Sequence, residues 1–288
     1  MKPVFVLDTD VGTNPDDVFA LLMLLNSSGI DLKLIITGNR FPVERAIFVK
    51  KILSLVGKEI SVIAGEDSGR VDFFARKYIE NDNYNVSRDY QAALKQLCDK
   101  HKEIVYVAIQ GLSNLASFLR KYPEYSNKFV IYHMGVNLEG ADKDYIKGGT
   151  NVEADPMAHQ FICEYGLNLK IVGAHTTLND KIRVTPESKI YLALNKSNNP
   201  AHQLLINHLQ DFYERRKIHP AMHDPLTVSV ALGKKFVKFK EVDICFDESG
   251  RYKAGKGCKL TVSEKELNEQ EFMDYLYHLV IEGNGNTY

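Results

Sequence analysis

Six short apolar runs rich in β-branched residues, each separated from the next by helical spacing, restrict the fold of this 288-residue chain more than any other feature. They lie at residues 4–7, 32–36, 60–64, 104–109, 129–132 and 169–172, with helical patterns near 15–27, 42–56, 88–101, 113–121 and 156–165. A run that is apolar at nearly every position fits a strand covered on both faces rather than a half-exposed one. The alternation therefore predicts an α/β fold: an open, mostly parallel central sheet, right-handed crossovers and helices on both faces. In such sheets ligands sit beyond the carboxyl ends of the strands. After residue 185 the spacing turns helical, over about 201–217 and again from Pro225. Segments 241–246 and 259–262, joined through Asp247-Glu248-Ser249-Gly250, predict a small peripheral β-hairpin, and 263–282 a closing helix. Residues 283–288 read as a frayed tail. With no repeat and no Pro/Gly linker, the expectation is a single domain over residues 1–288.

The 36 basic and 37 acidic residues balance to a net charge of -1, which gives no electrostatic basis for binding nucleic acid or a membrane surface. A small-molecule ligand is expected instead. Cys98, Cys163, Cys245 and Cys258 show no paired short spacing, so neither a zinc site nor a disulfide framework is indicated. Met1-Lys2-Pro3 leads straight into the first strand, and no apolar run reaches membrane-spanning length, so a cytoplasmic location is expected.

Asp8, Asp10, Asp16 and Asp17 fall within ten positions, directly after the first apolar run and before a helical pattern. Carboxylates this crowded resist joint ionisation unless a cation or bound protons hold them together. A divalent metal resolves the conflict. Helix capping explains part of the stretch: Asn14 as N-cap, Pro15 at the first helical position, and Asp16 and Asp17 at the positive end of the dipole. It leaves Asp8 and Asp10 without a reason. Polar groups also follow other strands, at Thr37-Gly38-Asn39, Gln110-Gly111-Leu112-Ser113-Asn114 and Met134-Gly135-Val136-Asn137, where turns or caps serve equally well. His223-Asp224-Pro225 opens a further helix, with Asp224 a plausible N-cap like Asp155 before Pro156.

Taken in order, these pieces resemble the inosine-uridine-preferring nucleoside hydrolase family: Asp-x-Asp-x-Gly with a following Asp-Asp pair, Gly38-Asn39, Gly111-Leu112-Ser113-Asn114, Met134-Gly135, Asn151-Val152-Glu153-Ala154-Asp155-Pro156 and His223-Asp224-Pro225-Leu226, across roughly residues 3–260. The resemblance implies hydrolysis of the N-glycosidic bond of a ribonucleoside to ribose and free base. It implies Ca²⁺ held by Asp10, Asp17, Asp224 and the main-chain carbonyl of Ser113, with Asp16 as general base and Asp8 supporting the ligands from behind. Asn39 and Asn151 would grip ribose hydroxyls, Met134 would pack on the sugar and His223 would protonate the leaving base. Tyr213, Arg216 and His219 fall on the segment that closes over the base in relatives, and Arg70, Phe73, Phe74 and Tyr78 on the other capping loop; of these, Tyr213 and His219 are the expected base contacts. The assembly implied is a homodimer or homotetramer. Two positions depart from the family pattern: Asn14, often Asp in the matching subgroup, and Gly149, where the family carries an acid. The chain also has no Trp to stack on a purine.

Two other readings use the same residues. Phe5 to Thr13 could open a haloacid-dehalogenase-type phosphatase, with Asp8 as nucleophile, Asp10 as acid and base, and Mg²⁺ bound. That scheme lacks a later Gly-Asp-x-x-x-Asp motif and gives His223-Asp224 no task. A non-catalytic nucleoside or ribose binder would need no base at Asp16.

Overall fold

The computed structural model describes residues 2–69, 71–142, 145–147 and 149–283, so the expectations for Arg70 and for the tail beyond Gly283 lie outside the described residues. The chain begins with β1 (Val4–Thr9), α1 (Asp16–Asn26), β2 (Asp31–Thr37), α2 (Pro42–Leu55) and β3 (Ser61–Ala64). It continues through α3 (Tyr90–Lys100), β4 (Ile104–Ala108), α4 (Ser113–Lys121) and β5 (Phe129–Met134). A two-stranded ribbon, β6 (Asn137–Asp142) and β7 (Tyr145–Lys147), precedes α5 (Gly149–Ala154), α6 (Pro156–Glu164) and β8 (Asn168–Val172). Helices α7 (Ala174–Thr177), α8 (Lys189–Lys196), α9 (Pro200–Arg216) and α10 (His223–Ala231) follow, then β9 (Val237–Phe246), β10 (Tyr252–Ala254), β11 (Cys258–Leu267) and α11 (Glu269–Tyr277).

One nine-stranded sheet runs in the order β10-β9-β11-β8-β5-β4-β1-β2-β3. All pairings from β3 to β11 are parallel, while β9 and β10 join antiparallel at the far edge. Every residue of β1 is buried, with Phe5 and Leu7 in the apolar cluster on one face and Val4 and Val6 in that on the other. This is why the first run is apolar throughout: the strand has no solvent side. The chain lays β2 and β3 on one side of β1, then returns to place β4 on the other. The loops leaving β1 and β4 therefore diverge and open a crevice at their carboxyl ends, a topological switch point.

The C-terminal expectations need correcting. Strands β9 and β11 do pair as a hairpin, but β11 also pairs in parallel with β8, so the hairpin extends the central sheet instead of standing outside it. Strand β11 consumes the start of the expected closing helix, which begins at Glu269. Among the described residues no helix is long and apolar enough to cross a membrane.

Candidate functional site

The acidic loop after β1 is braced from two directions. Gly12 adopts φ +102°, and a side chain there would overlap the Phe73 ring, so only glycine lets the 73–75 segment close on the loop. Gly12 O accepts from Phe74 N and Ala75 N at 2.8 and 2.9 Å. From α2 comes Arg45, fully buried, whose guanidinium donates to the carbonyls of Asp10, Val11 (2.9 Å), Val71 (2.9 Å) and Asp72 (3.1 Å), and from Nε to Arg40 O (2.7 Å). A single planar cation thus satisfies the carbonyls of two loops at once.

The expected capping by Asn14 is not what forms. The residue before α1 is Pro15, with no side-chain cap, and Asp16 and Asp17 stand in the first turn. Asp224 likewise does not cap: α10 begins one residue earlier, at His223, behind an uncapped Met222. The similar Asp155-Pro156 behaves differently, since Asp155 accepts from Ala158 N at 3.0 Å as an ordinary N-cap. With no capping duty, Asp224 meets the β1 loop. Oxygens of Asp16, Asp17 and Asp224 lie within 4.8 Å of one another, and all three residues are buried.

Their partners are few. Asp17 accepts from Thr9 Oγ1 at 2.5 Å, and Asp10 from Asn39 Nδ2 at 2.9 Å. Asp16 Oδ2 takes a long contact from Asp224 N, 3.4 Å, the Asp224 carboxyl lies against the Asp16 side chain, and Asp16 Oδ1 is buried without a donor. Burial raises the pKa of Asp10 and Asp17, with the neighbouring carboxylates raising Asp17 further. Burial and then repulsion from Asp16 and Asp17 push Asp224 well up, while burial lifts Asp16 to about 7. Four acids line the cavity with no lysine or arginine among the described lining residues, and the buried Arg45 behind Asp10 offsets only part of their charge, which leaves a set suited to receive a cation.

That cavity holds about 350 Å³ and is lined by Asp10, Asp16, Asp17 and Asp224 together with Met134, Asn151 and His223. Asn151 donates to Ile109 O and Met134 O at 3.2 and 3.0 Å, which fixes α5 against the ends of β4 and β5. His223 Nδ1 lies 2.6 Å from Thr177 Oγ1. Burial, then the nearby Arg183, hold the imidazole at about 4 and so neutral.

Not every expected residue lines it. Asn39 stands behind Asp10, its amide committed to that carboxylate and, through Oδ1, to the N–H groups of Arg40 and Val71. Ser113 opens α4 and spends its hydroxyl on Asp155, 2.8 Å, without lining the cavity. Tyr213 and His219 stack on each other, ring centroids 4.6 Å apart, and neither reaches the cavity wall. Arg216 covers the Phe74 ring, with Arg215 beside it. A larger groove of about 530 Å³, walled by Lys181, Lys189, Glu269 and Asp274, shares no residue with the acidic cavity.

Sequence reasoning also missed residues. Glu153, Thr150 and Leu178 line the cavity, as does Asn137 from the turn after β5 that the sequence did mark, and Glu153 is its one exposed carboxylate among the described residues. Glu153 sits inside the Asn151 to Pro156 motif, so proximity to Asn151 was an available signal. Leu178 follows a four-residue helix that no periodicity announces.

Asp8 settles the phosphatase alternative. Its carboxylate is wholly buried and accepts from Tyr106 OH (2.6 Å), Asn114 Nδ2 (2.8 Å) and Gln110 Nε2, so neither oxygen is available as a nucleophile. Burial raises it to about 6 against those three donors. Its task is to tie β1 to the end of β4 and the start of α4. Gly38 serves the same bolt, because any side chain there would collide with the Gln110 amide.

The sequence pattern of the family described as inosine-uridine preferring nucleoside hydrolase matches residues 5–274. No curated protein sequence matches the chain. Among solved structures, a plant nucleoside hydrolase superposes with TM-score 0.79 at 19% identity, covering 98% of this chain and 99% of that one. A purine-preferring ribonucleoside hydrolase from Gardnerella vaginalis gives 0.78 at 20%, covering 99% and 100%. An inosine-uridine preferring nucleoside hydrolase from Bacillus anthracis gives 0.74 at 16%, covering 98% and 100%.

Proposed function

The chain belongs to the inosine-uridine preferring nucleoside hydrolase family and is by that membership an N-ribosyl hydrolase of nucleosides; we propose that Asp16 is its general base and Ca²⁺ its cofactor. The observation that carries this reading is the convergence of buried Asp16, Asp17 and Asp224 from distant parts of the chain, with Asp16 Oδ1 left unpartnered. Asp10, Asp17 and Asp224 would hold the ion from the cavity wall; Ser113, the fourth ligand that the resemblance implies, does not line the cavity. An all-oxygen set with room for water and sugar hydroxyls suits calcium better than zinc. Bound there, the ion supplies orientation and a lowered pKa to a water and draws in ribose hydroxyls.

The side chains divide the remaining work. Asp16, with one free oxygen and a pKa lifted toward neutrality, accepts the water proton. Asn39 keeps Asp10 in place, while Asn151, whose NH₂ is spent on two carbonyls, retains its oxygen for a ribose hydroxyl. The surrounding carboxylates stabilise positive charge as the anomeric carbon approaches an oxocarbenium ion. His223 offers a neutral N–H to the departing base. Glu153 supplies at the cavity rim a carboxylate that Gly149 does not.

Reducing-sugar release across purine, pyrimidine and modified nucleosides, with Ca²⁺ present, tests the reading. Turnover of at least one ribonucleoside is expected, and background rates throughout overturn it. A phosphatase outcome would show instead as Mg²⁺-dependent hydrolysis of p-nitrophenyl phosphate.

Metal removal has a signed pH consequence. The cluster carboxylates have folded-state pKa values raised above their unfolded ones, so the metal-free protein binds extra protons when folded. Their stabilising contribution is complete below about pH 4 and is lost as pH rises through the folded values, about 7 for Asp16. The metal-free melting temperature is therefore expected to carry a downward component from pH 5 to 8. Calcium at 100 times its Kd should add about 2.7 kcal/mol, or roughly 4–5 °C, at pH 7–8. It should add less at pH 5, where protons compete for the same oxygens. Thermal melts with EDTA or CaCl₂ across this range check it; a calcium shift that is absent, or larger at pH 5 than at pH 8, contradicts it.

A further inference from the structure

We infer that Thr177, at the end of α7, is a positioning residue that fixes which nitrogen of His223 carries the proton; this rests on the reading of His223 as the group facing the departing base. Thr177 is fully buried, and its Oγ1 lies 2.6 Å from His223 Nδ1. The hydroxyl has one hydrogen and three acceptors in range. The other two, the carbonyls of Gly173 and Ala174, lie at 3.4 and 3.5 Å. Both exceed the usual range of an O–H···O bond, about 2.5–3.0 Å, whereas the ring contact falls inside the short range of hydroxyl donors. The hydrogen therefore goes to Nδ1. A neutral imidazole that accepts at Nδ1 carries its own proton on Nε2.

The consequence is polarity. His223 lines the cavity, and Nε2 makes no hydrogen bond among the described residues, so that nitrogen is the one left for a ligand. With Thr177 donating, Nε2 presents an N–H and recognises an acceptor atom on the base, a ring nitrogen or carbonyl oxygen. The opposite tautomer would present a lone pair there and repel the same atom. Burial leaves no water to substitute for the hydroxyl, so Thr177→Val keeps the shape but frees the ring to take either tautomer. Thr177→Ser keeps the donor.

Long-range ¹⁵N–¹H correlation on histidine-labelled full-length protein reads the tautomer directly. Turnover of a ribonucleoside against 4-nitrophenyl riboside, whose phenolate leaves without being protonated, reads its effect. The expected results are the Nε2–H form in the parent and a mixture in Thr177→Val. Nucleoside kcat should fall about tenfold or more in Thr177→Val, with a clearly smaller fall on the nitrophenyl substrate. Thr177→Ser should recover most of the nucleoside kcat. An active parent showing the Nδ1–H form overturns the inference alone, as does an equal fall on both substrates or a serine variant no better than valine. A parent that releases sugar from neither substrate overturns the reading of the site, and the inference with it.

Discussion

Asp16→Asn is expected to lower kcat for nucleoside hydrolysis by about 10²- to 10⁴-fold while changing KM little. The substitution keeps size and shape but leaves no group able to accept the water proton. The Oδ1 that it alters is the buried oxygen with no protein partner, so no structural hydrogen bond is sacrificed there. It also removes one negative charge from beside Asp17 and Asp224, which repel it now. The metal-free variant should consequently melt higher than the parent at pH 7–8. Steady-state kinetics in saturating Ca²⁺, paired with melts in EDTA, separate the two effects. A kcat within threefold of the parent would remove Asp16 as the base and revive the binder reading.

Arg45→Ala should be the most damaging change outside the acids, costing about 3–5 kcal/mol and abolishing turnover. No carboxylate bridge is lost; what is lost is the donor to the carbonyls of Arg40, Asp10, Val11, Val71 and Asp72, and alanine leaves those of Asp10 and Val11 buried without it, while Asp72 keeps Thr13. Arg45 also supplies favourable charge to Asp10 and Asp17 against the burial that pulls its own pKa down. Arg45→Lys should rescue only a minor part, because a point ammonium cannot fill a fork that spans two loops. Chemical denaturation of both variants gives the cost. A loss below 1 kcal/mol for alanine, or parental activity in it, would show that the loop holds its shape without this brace.

Much of this arrangement could be read from the residues because strands covered on both faces leave an unbroken apolar signature. The runs at 4–7, 104–109 and 169–172 became β1, β4 and β8 within a residue or two. Asp8 and Asp10 were informative for the same reason, since a charged side chain at the end of such a strand has no solvent to excuse it. What stayed hidden depends on the third dimension. Asp155-Pro156 and Asp224-Pro225 are alike as strings, yet one caps a helix and the other joins the acid cluster, and only packing of α10 against α1 tells them apart. Tyr213 and His219 read as base contacts from their place on a helix and loop, but they satisfy each other by stacking away from the cavity. Arg45 gave no signal at all: a basic residue in a helix of ordinary composition is expected in solvent, and its burial follows from the carbonyls that two loops happen to aim at it.

The contact between Asp224 and Asp16 spans 208 positions of chain. Synthesis on the ribosome delivers Asp10, Asp16 and Asp17 long before α10 emerges, and until then the early acids lack their fourth member. The proposed ion site is complete only once α10 has emerged, so the proposed calcium would act as a seal on an assembled site and would give little help to a half-made one. A nascent chain stalled before α10 should therefore ignore calcium, while the released protein tightens around it.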